Sequence, residues 1–299
     1  MNPSAHGTED KRNKGSRPRA DKQHADSRTF HDGHILRGRT RVGKALVLAA
    51  AISVLVCSIL QAEGDTQAGK EPGSEIDAHV AATYNGMYVW RGLREVDGPV
   101  LQPSATVEYE GLTAHAWGNM DMSDVNGHDE HFTEIDASLD YTWDVNPLDL
   151  SAGTIYYTFP HGPANHSTLE VYASAGLDWP LSPALTVYQD VDEAGGTYGT
   201  VSAGHTFEDL FRPVEEIPIG LQLNGSLAYG SSGFNEYYYH TDSAGMADLL
   251  LKASFPVHLS EKMSLKPSVN YSSLLDADIR DNVHDPESLW AGLTLEYSF

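Results

Sequence analysis

Four consecutive residues, His128, Asp129, Glu130 and His131, are the densest run of metal-ligating side-chain types in this 299-residue chain. Imidazoles beside carboxylates suit Zn²⁺ or Cu²⁺, and hard acids suit Ca²⁺. Their spacing matches no established ligand pattern, so solvated loop residues are the plainer reading and divalent cations at external loops the sharper one. A second set is dispersed: Arg91, Asp121, Glu170 and Asp190. In extended segments these four fall on the less apolar parity and at similar heights, which predicts a belt of carboxylates around one arginine. Rings of acid favour cations, and a planar guanidinium orients anionic groups, so one expectation is a selectivity constriction. The other is a structural network, since enclosed charges need partners. Nucleophile chemistry is poorly supported. His166-Ser167 and His258 with Ser260 are the close Ser/His pairs, and neither has an orienting third group. The stretch "GGTYG" lacks the lysine and following helix of a phosphate-cradling loop. No enzyme and no cofactor are expected.

Extended elements must position these side chains. The last residues, "SLWAGLTLEYSF", set Leu289, Ala291, Leu293, Leu295, Tyr297 and Phe299 on one face and polar or small residues, with Trp290, on the other. A period of two is strand geometry. From residue 75 onward the same theme recurs, for instance in "TEIDASLDYTWDV", with turn signals between segments. Twelve strands are predicted, starting near residues 76, 101, 112, 132, 148, 168, 184, 197, 217, 247, 263 and 288. The connections alternate. Short turns such as "YEG", "VNP", "PLSP" and "SEK" follow even-numbered strands, with "EDLFRPVEE" the longer exception, and long polar loops such as "SSGFNEYYYHTDSAG" follow odd-numbered ones. That pattern, with an even strand count, is the arrangement of bacterial outer-membrane barrels. The predicted fold is therefore all-β, an antiparallel transmembrane β-barrel closed by the strand ending at Phe299. A sheet edge left unpaired in lipid is untenable, so the last strand must meet the first. Leu293, Leu295, Tyr297 and Phe299 also resemble the terminal signal by which barrel-assembly machinery selects its clients. The tyrosines Tyr237, Tyr238 and Tyr239 read as residues of the lipid interface, with sugar stacking as the alternative.

Charge divides the chain. Residues 1–62 hold 11 of the 19 basic residues and 5 of the 42 acidic ones, leaving 8 bases and 37 acids in residues 63–299, a formal charge of −29. A body so acidic will not bind nucleic acid, because phosphates repel it. The apolar run "ALVLAAAISVLVCSIL", preceded by "RGRTRVGK", reads as a secretory signal with cleavage after Ala62. The basic stretch before it is longer than an ordinary leader, which suggests a start nearer Val42 or a genuine extension. The rival reading is a single-pass anchor with a basic tail. Cys57, the single cysteine, falls inside this run. The expected organisation is 1–62 extension plus signal, 63–74 linker and 75–299 barrel, with export to the outer membrane.

Three stretches carry a resemblance. "ATYNGMYVWRGL" holds a Tyr-x-x-Arg-Gly pattern in Tyr88, Arg91 and Gly92; "QPSATVEYEGLTAHAWGNMD" follows with Trp117; and "GTIYYTFPHG" supplies Tyr156, Tyr157 and Pro160, followed by Glu170 in a Thr-x-Glu strand. Together, over about residues 75–205, they resemble a sparsely characterised family of bacterial outer-membrane barrels, often labelled Gcw_chp. The resemblance implies an envelope location and a barrel, and it implies no substrate. The functional expectation is a narrow, cation-preferring, porin-like channel for small solutes. A closed structural or adhesive barrel is the alternative, and a lipid-modifying barrel enzyme ranks last.

Overall fold

The computed structural model describes residues 76–161, 167–214 and 217–299. The signal and linker segments, the start of the barrel domain at residue 75 and His166 lie outside these. Fifteen strands form: β1 (Asp77–Asn85), β2 (Tyr88–Trp90), β3 (Leu93–Val96), β4 (Val100–Tyr109), β5 (Leu112–Asp121), β6 (Phe132–Val145), β7 (Leu148–Thr158), β8 (Ser167–Leu177), β9 (Ala184–Asp190), β10 (Thr197–Val214), β11 (Ile217–Gly230), β12 (Gly245–Ser254), β13 (Val257–His258), β14 (Met263–Leu274) and β15 (Glu287–Ser298). β13 keeps the neighbours of β12, namely β11 and β14, so the two make one barrel strand interrupted at Phe255-Pro256. With β2 and β3 set apart as their own sheet, twelve antiparallel strands close into a barrel. Each begins within two residues of the start read from the sequence.

Closure is made by β15 against β1, in register from His79↔Ser298 to Asn85↔Gly292. The final residue continues the ladder, its amide donating to the Ala78 carbonyl at 3.0 Å. Leu293, Leu295, Tyr297 and Phe299 all point outward and are exposed. So do Val80, Leu139, Val171, Leu185, Val201, Leu227 and Val269 on strands around the barrel. A continuous apolar exterior of this kind is a lipid-facing band, since a water-facing protein would not carry it. Exposed aromatics flank it: Tyr84 and Tyr229 near the loop end, Tyr141, Trp143, Phe207, Tyr297 and Phe299 near the turn end. Toward the turn end the inward parity is mostly polar or small, with Thr83 bonded to Thr294 and Ser174 to Thr186 across strands.

Removing Phe299 deletes one ladder hydrogen bond and the last aromatic of the lower girdle. The expected result is a several-fold fall in heat-modifiable barrel recovered from outer membranes, read on unboiled gels. Undiminished recovery would discard a role for this terminus in assembly.

Two expectations need correction, one for Arg91, read from the sequence as inward at the external end of the first strand, and one for the three tyrosines. β1 ends at Asn85, so Tyr88, Arg91 and Gly92 do not continue it as a membrane strand. Residues 88–96 instead form a separate hairpin, β2–β3, with Trp90 opposite Leu93. Its two-residue turn is Arg91-Gly92, with φ of +46° and +82°. Both values are left-handed, as a type I′ turn requires, and that is the turn whose twist matches paired strands. The second loop correction concerns the tyrosines. Ser232–Tyr239 is an α-helix, capped at its start by the Ser231 hydroxyl, which accepts from the Phe234 amide. It turns Tyr239 into full burial and leaves Tyr237 exposed. Tyr238, packed on Trp90 and Phe234, and Tyr239 serve the interior rather than the lipid boundary. A shorter helix, Ala277–Asn282, lies in the loop between β14 and β15.

Candidate functional site

The β2–β3 hairpin leaves the loop end of β1 and crosses the barrel. In the closed ring of twelve, the strand diametrically opposite β1 is β9, flanked by β8 and β10. Arg91, at the hairpin tip, touches Glu170 on β8, Tyr188 on β9 and Tyr198 on β10. A side chain on the loop of one wall thus rests against the opposite wall. Gly92 beside it packs on the third side: a Cβ there would lie 2.4 Å from Leu274 Cδ2 and 3.0 Å from Asp248 Cβ. Glycine supplies both the positive φ and the missing volume.

The contacts of Arg91 are dense. Its two terminal nitrogens donate in parallel to the two oxygens of Glu170, each at 2.7 Å. The guanidinium carbon lies 4.6 Å from the Trp90 ring centre, 4.8 Å from Tyr188, 4.3 Å from Tyr198 and 5.3 Å from Phe234. Arg91 is 9% and Glu170 1% exposed at the side chain. Planarity lets one cation make a two-pronged carboxylate pair and still present faces to aromatic rings, which lysine does not do. Burial works against the charge, but the Glu170 hydrogen bonds and the Glu170 carboxylate outweigh it and hold the guanidinium pKa above its ordinary value. Tyr157 donates its hydroxyl to the same Glu170 at 2.9 Å.

The helix Ser232–Tyr239 closes over this pair. Phe234 is fully buried and stacks at 5.0 Å on Tyr198, 4.6 Å on Tyr238 and 6.4 Å on Trp90. Tyr239 donates to the Arg91 carbonyl at 2.7 Å, and Tyr198 to Asp248 at 2.6 Å. At the root of the hairpin Tyr88 packs on Trp117 at 5.5 Å and sits with Val96 and Val100. Arg94 fastens the hairpin to the neighbouring rim, on the β15 side of β1, through Asp285 at 3.2 Å and the Glu287 carbonyl at 2.9 Å. The result is an aromatic plug across the loop end, pinned at its tip by one ion pair.

The other expected belt members point inward but have their own partners. Asp190 is opposite Glu170 in register, where two facing carboxylates would repel. It accepts instead from Thr168 at 2.7 Å and from the amides of Asp192, Glu193 and Ala194 at 3.0 to 3.2 Å, which folds the β9–β10 loop. Asp121 ends a side-chain ladder running Asn85, Gln102, Asn119, Asp121, and it also takes Thr133 and Asn126. All three carboxylates are buried. Glu170 is the one that meets Arg91, and Arg91 is not alone, because Arg94 and Arg280 form ion pairs on the rim. Of the resemblance residues, Tyr88, Arg91, Gly92, Trp117, Tyr157 and Glu170 gather at the plug from separate stretches. Tyr156 bonds to Ser167, and Pro160 is exposed in a loop. Sequence reading missed Trp90, Tyr188, Tyr198, Phe234, Tyr239 and Asp248. The signal available was aromatic residues at inward parity on β9 and β10, where a water-filled passage has no use for them.

Below the plug, polar side chains line part of the interior. A cavity of about 670 Å³ is lined by Ser202, Thr206, Gln222, Asn224, Ser226 and Lys252 among others. Outside, Glu236, Asp242, Asp278 and Asp281 border a cleft of about 520 Å³. His128, Asp129, Glu130 and His131 lie in the β5–β6 loop. Among the described residues no three His, Cys, Asp or Glu side chains are already drawn to a common ligating point.

No protein-family model matches the chain, and no curated protein does. Solved structures share its architecture at low identity. The NanC porin is 11% identical over 74% of this chain and 98% of its own, with a TM-score of 0.42. An outer-membrane channel from Pseudomonas putida F1 is 10% identical over 78% of this chain and 98% of its own, at 0.37. An anion-selective porin from Comamonas acidovorans is 11% identical over 76% of this chain and 100% of its own, at 0.32. At such values the likeness is one of fold alone.

Proposed function

We propose that this protein is a porin-like barrel of the outer membrane whose passage for small, preferably cationic solutes is controlled at the external mouth by the β2–β3 plug. The observation that carries the reading is the contrast within one lumen: a polar cavity at the turn end, and an apolar, aromatic closure at the loop end secured by a single buried ion pair. A structural network alone would need no polar cavity beneath it. The cation preference rests on the acidic balance of residues 63–299 and on the acid-lined cleft outside, because carboxylates at a mouth raise the local cation concentration.

The second reading, a permanently closed structural or adhesive barrel, draws on the full burial of Phe234 and Tyr239. Protein purified from outer membranes and reconstituted into a planar bilayer separates the two. Small, intermittent conductance steps with a cation-selective reversal potential across a salt gradient are expected. A heat-modifiable barrel that stays silent over the whole voltage range would overturn the channel reading in favour of the closed one.

A further inference from the structure

On the outer face, away from the plug, His161 of one loop meets both His128 and His131 of another. His128 and His131 stand at the two ends of a four-residue turn closed by the His131 amide donating to the His128 carbonyl at 3.0 Å. Glu130 takes the left-handed conformation inside it, with φ of +59°. The turn is anchored on the β5–β6 ladder, where the Glu130 amide donates to Asp121 at 2.8 Å and the Asp121 amide to His131 at 3.1 Å. A His-x-x-His spacing that is uninformative in a loop becomes meaningful in a closed turn, whose ends are held close together. His161, following β7, then arrives from the neighbouring loop. Its ring centre lies 4.9 Å from that of His131 and 5.5 Å from that of His128.

The orientation of two rings is also set. His161 Nδ1 is 2.8 Å from the Phe132 carbonyl and His131 Nδ1 is 2.6 Å from the Asp129 carbonyl. A carbonyl oxygen only accepts, so both Nδ1 atoms carry the hydrogen. When these rings are neutral, their Nε2 atoms keep a lone pair. A backbone carbonyl holding the far nitrogen of an imidazole is the usual support of a metal-ligating histidine.

We propose that His128, His131 and His161 bind one borderline divalent transition cation of the Zn²⁺ or Cu²⁺ kind, clamping the β5–β6 loop to the β7–β8 loop. With Nε2 at about 2.0–2.1 Å from such a metal, two imidazole centres at tetrahedral or square angles stand roughly 4.5–5.5 Å apart. The separations of His161 from His131 and from His128 both fall there, so an ion would draw together rings that already neighbour one another across the two loops. His131 and His161 are exposed and His128 is half-buried, leaving the rings accessible to ions from solvent. Asp129 and Glu130, exposed in the same turn, offer a carboxylate for the remaining position and offset the charge of the ion. Three nitrogen ligands select against Ca²⁺ and Mg²⁺, which prefer all-oxygen shells.

The test is titration of the full-length protein in detergent with Zn²⁺, and with Cu²⁺ read by electron paramagnetic resonance. Each single variant His128→Ala, His131→Ala and His161→Ala is compared with the triple variant, after heat-modifiability confirms assembly. The difference between wild type and triple variant isolates this site from histidines elsewhere. One saturable equivalent, weakened at least about tenfold by each single substitution, with a multi-nitrogen Cu²⁺ signal that loses intensity in the variants, is expected. The proposal is overturned by no saturable difference between wild type and triple variant, or by unchanged affinity after His161→Ala.

Discussion

Arg91→Ala raises the conductance of the reconstituted barrel and makes it more cation-selective. Removing one member of a buried, hydrogen-bonded ion pair typically costs about 3–5 kcal/mol, because the partner keeps its charge without compensation. Here the partner is Glu170, left with the Tyr157 hydroxyl. The cation–ring attractions to Trp90, Tyr188, Tyr198 and Phe234 vanish as well, each worth roughly 0.5–2 kcal/mol. A loss of even about 3 kcal/mol shifts the docked-to-undocked ratio of the plug by around a hundredfold. The exposed mouth then carries one more net negative charge, so the reversal potential moves toward the cation limit. Arg94 and Arg280 remain on the rim and moderate that shift. Glu170→Ala opens the plug too, and the double variant is milder than the sum of the two, since it strands no charge. Conductance and reversal potential that do not change in Arg91→Ala would sink the gating role of the hairpin.

Gly196→Val is the second large effect, and it acts on backbone rather than charge. A Cβ at this position would lie 2.3 Å from the Phe234 amide nitrogen and 2.4 Å from its Cα. No rotamer change relieves a clash with main chain, so the helix Ser232–Tyr239 must lift away. Phe234 then leaves the Arg91 face and Tyr239 loses the Arg91 carbonyl. The barrel wall has no such conflict and still assembles. Limited proteolysis in intact outer membranes is expected to cut within residues 231–244 at least tenfold faster than in the parent protein, with the unboiled-gel mobility of a folded barrel retained. Protection equal to the parent would mean that the helix does not depend on its seat against Gly196.

The wall of the molecule was legible in its sequence and the contents of the lumen were not, for a physical reason. Lipid on one side and water on the other force alternation along every strand, and the loop-turn rhythm follows from direction, so β6 and β15 announce themselves. The hairpin "YVWRGLREV" shows the same period of two, because an internal sheet pleats as an external one does. It therefore merged with the first strand. What separates them is the sign of φ at Arg91 and Gly92, and arginine is an uncommon residue for a left-handed turn. Its tolerance there is explained only by a partner 79 residues away. Similarly, Glu170 and Asp190 read correctly as inward, yet their different fates depend on which loop folds back: a hairpin tip reaches one, and three amides wrap the other. The turn that unites His128 with His131 is local, but the approach of His161 depends on strand order, which no spacing encodes.

The tip of the hairpin draws on parts of the chain made at very different times. Arg91 needs Glu170, 79 residues later, and receives Tyr239 from 148 residues later; its neighbour Gly92 fits against Leu274. Those surfaces come together only when the ring of strands is complete, and closing loops of that span costs entropy that few local contacts repay beforehand. The hairpin is therefore expected to dock after the wall has formed, so that a newly inserted barrel passes through a state with an open mouth and closes it as folding ends.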